Sequence, residues 1–511
     1  MMLLRPRAPR APRRSRLPPA VGWGLPAILC LTVAASCSTS SRTATPDTTA
    51  DSSRPTGPVA EVVSELSGSR APFMGASIGA TVPSGYTEQE FLVSGIATSY
   101  RSEGELTGDG RWNLEPDTSA EYRTRILVRR PTEMSAFSGT VVVEWLNVSG
   151  GLDANPDYAS TEEELIRAGD AWVGVSAQRI GVEGGPVLVA APGASGITGL
   201  GLKRIDPSRY GDLVHPGDGF AFDIFTQVAR TIRAGGDLLG GATPRMLIAA
   251  GESQSAIALT TYYNGVQPLT DAFDGFYIHS RASVGLPLVA PGQFADLAGS
   301  MTTSRPTILR TDADTPVLEL QAESDVTGVL RSIDARQDDT DSFRLWEVAG
   351  TAHADAHLLG PLSTQLDCGL PINDGPMHLV AKAALRALTS WIESGVPPEP
   401  QPRLATTDPE TGPVTIARDT DGIAIGGIRT PPVDVPTVVL SGLAGPEPSL
   451  LCILLGSTRP LPAPSATDRY GDLAGYRSRF DTATTTAIEA GVILEEDLAA
   501  LGDHEATSLE G

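Results

Sequence analysis

The segment Arg245–Val266, RMLIAAGESQSAIALTTYYNGV, places the strongest constraint on how this chain can fold. The apolar run Met246–Ala250 is long enough for a buried strand, and the residues GESQS follow it with no linker. Ala256–Leu259 then has the composition of a helix. A strand that turns directly into a helix holds the turn residue in a strained conformation with its side chain exposed. The segment therefore predicts a nucleophile elbow with Ser253 at its tip, although a buried strand ending in an ordinary Gly-Ser turn fits the same residues.

Strand-like and helix-like segments alternate from residue 91 onward. Apolar spacing indicates helices at 220–232 and 377–391. Apolar strands separated by helices imply a mostly parallel central sheet with helices on both faces. The predicted fold class is therefore α/β. Besides the run before Ser253, the strand candidates are 91–93, 125–128, 139–146, 171–176, 276–278, 316–320 and 343–348.

Two connections between predicted strands are long, at residues 181–219 and 281–314. Long connections at the ends of a sheet often form lids or bind substrate, so both are candidate lid segments. Residues 397–511 contain Pro-rich pieces and short strand-like runs, among them Val438–Leu440 and Cys452–Leu455. Their composition predicts an irregular C-terminal extension that packs on the main domain, which spans residues 59–511.

A serine nucleophile needs a base, and the base needs an acid that holds it in the right tautomer. Of the six histidines, His353 has the best context, because it follows the predicted strand at 343–348. Asp325 follows the preceding strand in the same way, and carboxyl ends of parallel strands meet at one sheet edge. The order Ser253, Asp325, His353 predicts a catalytic triad, with His357 as the reserve base.

Two carboxylates are candidates for the acid, because Glu323 and Asp325 stand two residues apart after one strand. Alternation along a strand would place both on the same face, so it cannot separate them. The chain must leave the sheet before the acid can turn towards His353, which favours Asp325. Glu323 is the alternative acid, or else a supporting or substrate-facing carboxylate.

Acyl transfer also needs hydrogen-bond donors for the oxyanion. One expected donor is the backbone N–H of Gln254, the residue after the nucleophile. The others are expected in the glycine-containing loop after the strand at 139–146. The candidates there are Asn147, Val148, Gly150 and Gly151.

The N-terminus has the composition of an export signal. Six arginines lie between Arg5 and Arg16, and the apolar, uncharged run Val21–Ala35 follows them. The small residues before Cys37 resemble a bacterial lipoprotein cleavage box, which implies lipidation of Cys37, although a plain secretory signal remains the alternative. Residues 1–37 are thus a predicted signal peptide. Residues 38–58, rich in Ser, Thr and Pro, are a predicted disordered tether that holds the domain near a membrane.

Charge and cysteine content also bear on partners. The net charge of −23 argues against nucleic acid, which binds basic surfaces. Only Cys368 and Cys452 remain beyond the signal, and outside the cytoplasm two cysteines in one domain most simply form a disulfide. Neither cysteine has neighbours at the spacing of a zinc site, so we expect no metal and no other cofactor.

Four motifs together resemble the α/β-hydrolase superfamily, and more narrowly a branch of large bacterial α/β-hydrolase-domain proteins. They are EWLNVSGG at 144–151, RYG with HPGD between 209 and 218, GESQSA at 251–256 and GGIRTP at 426–431. The likeness covers roughly residues 60–490. The elbow ends in Ser255 where the superfamily usually has Gly. The resemblance implies a serine hydrolase fold with a triad, and it does not imply one substrate.

Residues and resemblance together predict an exported serine hydrolase, lipid-anchored to the outer face of the cytoplasmic membrane or secreted. Its expected substrate is a small-molecule or lipid ester, with an amide or a thioester also possible. Two alternatives remain open. One is a catalytically silent α/β-hydrolase fold that binds a partner at the cell surface, and the other is acyl transfer to a cell-envelope acceptor.

Overall fold

A nine-stranded sheet organises the computed structural model, which describes residues 54, 56–75, 81–189, 196–407, 410, 412–446, 449–462, 466–502 and 504. Its strand order is β1-β2-β3-β5-β4-β6-β7-β8-β9. The strands are β1 Glu61–Glu65, β2 Tyr86–Ser102, β3 Leu114–Pro131, β4 Thr140–Trp145, β5 Ala171–Val175, β6 Met246–Glu252, β7 Gly275–His279, β8 Val317–Ala322 and β9 Phe343–Val348.

The sheet is antiparallel at one end and parallel over the rest. Strands β1, β2, β3 and β5 pair antiparallel, whereas every pair from β5 through β4, β6, β7 and β8 to β9 is parallel. The predicted α/β fold with a mostly parallel sheet is confirmed. The carboxyl ends of β6, β8 and β9 consequently lie at one edge of the sheet.

Helices connect the strands and continue beyond the sheet. A π-helical turn at Tyr262–Val266 follows the helix after the elbow. The α-helices are α1 Pro156–Ala168, α2 Arg179–Glu183, α3 Leu202–Ile205, α4 Pro207–Tyr210, α5 Ala221–Arg233, α6 Gln254–Thr261, α7 Gln267–Thr270, α8 Leu297–Thr303, α9 Glu323–Thr327, α10 Ala356–Leu359, α11 Met377–Ser394, α12 Pro431–Asp434, α13 Leu450–Leu455, α14 Ala466–Tyr470, α15 Leu473–Glu489 and α16 Leu498–Gly502.

Two apolar layers cover the sheet, because both faces of its central strands are apolar. In β4, Val141 and Val143 face a layer built on α5 and α6, whereas Val142 faces a layer with α1, α11 and α15. Aromatic rings fill the first layer, where Phe225 lies 5.0 Å from both Trp145 and Phe273, measured between ring centroids. These layers pack against both faces of the strands whose carboxyl ends meet at the sheet edge.

The predicted signal peptide, Cys37 and most of the predicted tether lie outside the described residues. Arg54, in the predicted tether, donates a hydrogen bond to the Asp271 carbonyl oxygen at 2.7 Å, so contacts with the domain begin before Val59. No helix in the described part of the chain is both long and apolar enough to cross a membrane.

The C-terminal extension contains more helix than its composition predicts. The strand-like interpretation of Cys452–Leu455 is wrong, because these residues lie in α13. The Ser449 side chain accepts a hydrogen bond from the Cys452 N–H and caps this helix, and the leucines around Cys452 favour helix. Val438–Ser441 and Ser457–Pro460 form a second, two-stranded antiparallel sheet, β10–β11, with α13 between its strands. A disulfide joins Cys452 to Cys368.

Candidate active site

Ser253 occupies the turn between β6 and α6 with strained backbone angles, φ 60° and ψ −118°. A side chain at position 251 would not fit, since a Cβ on Gly251 would lie 3.0 Å from Leu259 and Ser255 atoms. Ser255 is itself completely buried beneath the turn, and its hydroxyl has no hydrogen-bond partner among the described residues. The space at position 255 thus accepts Ser as well as Gly, which accounts for the sequence G-E-S-Q-S in place of the usual G-x-S-x-G.

Ser253, His353 and Asp325 form one chain of hydrogen-bond contacts. The Ser253 Oγ lies 2.8 Å from Nε2 of His353, and Nδ1 of His353 lies 2.9 Å from Oδ1 of Asp325. Asp325 is fully buried, and the imidazole is nearly so. The structure therefore brings the three predicted residues together in the arrangement that activates a serine hydroxyl.

Three further donors contact Asp325, two of them at Oδ2 and one, the Ser324 hydroxyl, at Oδ1 over a long 3.4 Å. Sequence reasoning missed both serines. The hydroxyl of Ser280, the residue after β7, donates to Oδ2 of Asp325 at 2.6 Å, and the Ala322 N–H donates to the same atom at 2.9 Å. Burial alone would raise the pKa of Asp325, but the charge of His353 and these hydrogen bonds lower it below its ordinary value. The carboxylate is therefore held ionised and oriented.

Glu323 supports the loops beside the site, one of the alternatives considered for it, and it is not the acid that contacts His353. Its carboxylate accepts hydrogen bonds from the N–H groups of Gly350 and Gly442, at 2.7 and 2.8 Å, and pairs with Arg418 at 2.5 Å. It is buried and makes no hydrogen bond to the His353 ring. Glu323 therefore connects the loops after β8 and β9 to the C-terminal extension.

The backbone N–H of Gln254 makes no hydrogen bond to the described part of the chain, as an oxyanion donor requires. Its side chain is fixed by Gln178, whose Oε1 accepts from Gln254 Nε2 at 2.5 Å. The Oε1 of Gln254 in turn receives a long hydrogen bond of 3.4 Å from the Val148 N–H. This contact brings the loop after β4 against the start of α6.

Two of the predicted oxyanion donors are already occupied within that loop. The N–H of Asn147 donates to Ala154, and that of Gly151 donates to Val148, both at 2.9 Å. The Gly150 N–H has no partner in the described part of the chain. Hydrogen bonding therefore removes Asn147 and Gly151 from the predicted set. It leaves Gln254 and Gly150, together with Val148, whose N–H is engaged only in the long contact of 3.4 Å.

A second carboxylate, Glu252, contacts the same imidazole, and sequence reasoning gave it no role. Oε1 of Glu252 lies 3.2 Å from Nε2 of His353. Burial raises the pKa of Glu252 to about 7. Burial alone would lower the pKa of His353, but the charges of Glu252 and Asp325 outweigh it and raise that pKa to about 9. The position of Glu252 directly before Ser253 was the one signal in the sequence that could have pointed to it.

The two candidate lid segments contact each other near the carboxyl end of β5. Asp218 accepts from the Arg179 N–H and from the Ala295 N–H, each at 2.8 Å, so one carboxylate connects residues 179, 218 and 295.

The reserve base His357 stacks on His378, with the ring centroids 3.7 Å apart. Among the described residues, no group of three or more His, Cys, Asp or Glu side chains could hold a metal ion.

Comparison with known proteins identifies a family. A family model described as alpha/beta hydrolase domain matches residues 54–502. No curated protein matches the sequence.

Solved structures to which the chain is similar include a fungal esterase from Rhizomucor miehei, at 11% identity and a TM-score of 0.31, covering 59% of this chain and 84% of that one. A thermostable esterase from Pseudomonas putida has 14% identity and a TM-score of 0.30, covering 63% and 88%. A serine hydrolase without a lid from Xanthomonas campestris has 13% identity and a TM-score of 0.28, covering 60% and 97%.

Proposed function

The chain belongs to the alpha/beta hydrolase domain family, and we propose that it is an extracytoplasmic serine hydrolase that cleaves a carboxylic ester through an acyl-enzyme. One observation carries this proposal, namely the continuous contact from Ser253 Oγ through His353 to Asp325 at 2.8 and 2.9 Å. A fold that serves only as a binding module has no need of a buried, ionised acid aligned with a strained serine.

In the proposed reaction, Ser253 Oγ attacks the ester carbonyl carbon while its proton passes to Nε2 of His353. The oxyanion receives hydrogen bonds from the Gln254 N–H and from the loop after β4. The tetrahedral intermediate collapses, and His353 returns the proton to the departing alcohol oxygen. Water then attacks the acyl-serine by the same proton route, which releases the acid and restores Ser253.

The location and the segment boundaries are part of the proposal. Residues 1–37 are the signal peptide, Cys37 carries the lipid, and residues 38–58 form the tether. Segments 181–219 and 281–314 cover the site, and residues 397–511 are an extension of the one hydrolase domain. The Cys368–Cys452 disulfide supports a location outside the reducing cytoplasm.

A covalent probe tests the nucleophile. A fluorophosphonate should label the purified full-length protein and should not label Ser253→Ala. Labelling that persists in Ser253→Ala would contradict the assignment of Ser253. A series of p-nitrophenyl esters from acetate to palmitate would then define the acyl chain, and hydrolysis of none of them by a labelled protein would contradict the ester substrate.

A further inference from the structure

Glu252 stands at the centre of the site, yet the triad does not use it. As the last residue of β6 it directly precedes the nucleophile, and its Oε1 lies 3.2 Å from Nε2 of His353. The Ser253 hydroxyl contacts the same nitrogen at 2.8 Å. A carboxylate and a serine hydroxyl therefore compete for one ring nitrogen.

The position of this carboxylate is fixed by the neighbouring strand. Asn147, two residues beyond β4, donates from Nδ2 to Oε2 of Glu252 at 3.2 Å and to the Glu252 carbonyl oxygen at 3.0 Å. Glu252 is also buried. The contact with His353 is thus held by an amide that is itself part of the packed sheet edge, and the two side chains keep only 7% of their surfaces exposed.

The groups that face this carboxylate decide where a proton resides. They are His353 from the loop after β9, His279 at the end of β7, Asp157 at the start of α1 and Asp325 in α9. Nδ1 of His279 lies 2.9 Å from Asp157, and its Nε2 has no hydrogen-bond partner among the described residues. Burial lowers the pKa of His279, which favours its neutral form. The nearest group that can share a proton with Glu252 is therefore His353.

We propose that Glu252 is a positioning residue that shares a proton with Nε2 of His353 and thereby sets the pH at which Ser253 becomes reactive. The inference depends on the proposed hydrolase function. While the shared proton occupies the space between Oε1 and Nε2, the nitrogen cannot accept the serine proton. Loss of that proton to solvent frees Nε2. During attack the proton moves from Oγ to Nε2, Glu252 stabilises the imidazolium, and the leaving alcohol then takes the proton.

The test is the pH dependence of the fluorophosphonate labelling rate in the wild type and in Glu252→Gln, which removes the charge at nearly constant shape. As the pH falls, the labelling rate should drop from its maximum, and this acidic limb should lie about one pH unit or more lower in the Gln variant than in the wild type. At pH values below both limbs, the labelling rate of the Gln variant, as a fraction of its own maximum, should therefore be at least about tenfold higher than that of the wild type. Glu252→Asp, which keeps the charge in the buried site, is the matched control and should retain most of the wild-type limb. A uniform loss of rate with an unmoved limb would overturn the proposal.

A second measurement does not require activity or a folded Gln variant. In Ser253→Ala, the low-field ring-proton resonance of His353 should titrate in NMR with a pKa above the ordinary value for histidine. Titration at or below the ordinary value would overturn the proposal even if Glu252→Gln failed to fold. Failure of this proposal can be distinguished from failure of the proposed hydrolase function. If the hydrolase function is wrong, the probe does not label the wild-type protein at any pH.

Discussion

Replacing Asp325 with Asn tests the triad most directly, because the structure determines how the new amide must orient. Two donors, the Ser280 hydroxyl and the Ala322 N–H, point at Oδ2 at 2.6 and 2.9 Å. Oδ1 faces His353 Nδ1 at 2.9 Å and has only a long contact of 3.4 Å with the Ser324 hydroxyl. The oxygen of the introduced amide therefore takes the Oδ2 position, where it satisfies both donors. The NH₂ group of that amide then faces Nδ1, which must become an acceptor and leave the proton on Nε2.

A proton on Nε2 prevents His353 from accepting the proton of Ser253. In a well-studied protease triad this wrong tautomer costs about 10⁴ in kcat, which corresponds to about 5.4 kcal/mol in the activation barrier. We expect a loss of the same order here. Folding should be nearly unchanged, because the buried amide keeps its hydrogen bonds.

The assay is steady-state hydrolysis of a short-chain p-nitrophenyl ester, with circular dichroism melting as the measure of folding. Glu323→Gln is the matched control, since Glu323 is two residues away, equally buried and not bonded to the imidazole ring. The Glu323→Gln variant should lose no more than about tenfold in turnover, which corresponds to about 1.4 kcal/mol in the activation barrier. Its loss of stability should appear as a lower Tm. A folded Asp325→Asn enzyme with turnover within tenfold of wild type would refute the reasoning, as would the reverse order of the two variants.

Three further outcomes are expected. Ser280→Ala removes one of the donors to Asp325, so kcat should fall by roughly tenfold with little change in KM, and unchanged kcat would show that Ala322 alone suffices. Removing the Cys368–Cys452 disulfide, which spans 84 residues, should lower the free energy of unfolding in urea by about 4–5 kcal/mol in the chain-entropy model, and an unmoved midpoint would contradict it. Intact-mass analysis of the native protein should show a diacylglycerol-type modification on Cys37, whereas a mature chain that begins elsewhere and carries no lipid would contradict anchoring.

The sequence was informative wherever local pattern determines local structure. The apolar run and the small residues around Ser253 predict the strand, the turn and the helix, and β9 spans the residues that its pattern predicts. Chain order and strand ends were sufficient to select Asp325 and His353, because parallel strands carry their carboxyl ends to one edge.

Contacts between residues far apart in the chain were not predictable in this way. Glu323 pairs with Arg418 and with the Gly442 N–H, 95 and 119 residues further along, and no spacing rule links those positions. The contact of Glu252 with His353 spans a similar distance and depends on how two strand ends meet. Helix α13 was missed for a different reason, because a run of four residues is too short to show helical periodicity.

The link from Glu323 to Arg418 and Gly442 has a consequence for when the enzyme matures. Ser253, Asp325 and His353 are all synthesised before residue 418, so a nascent chain already contains every group of the triad. The loops that carry the acid and the base gain these anchors only when the C-terminal extension has emerged and docked. We therefore expect nascent chains that end before residue 418 to lack esterase activity, which would be acquired only late in biosynthesis.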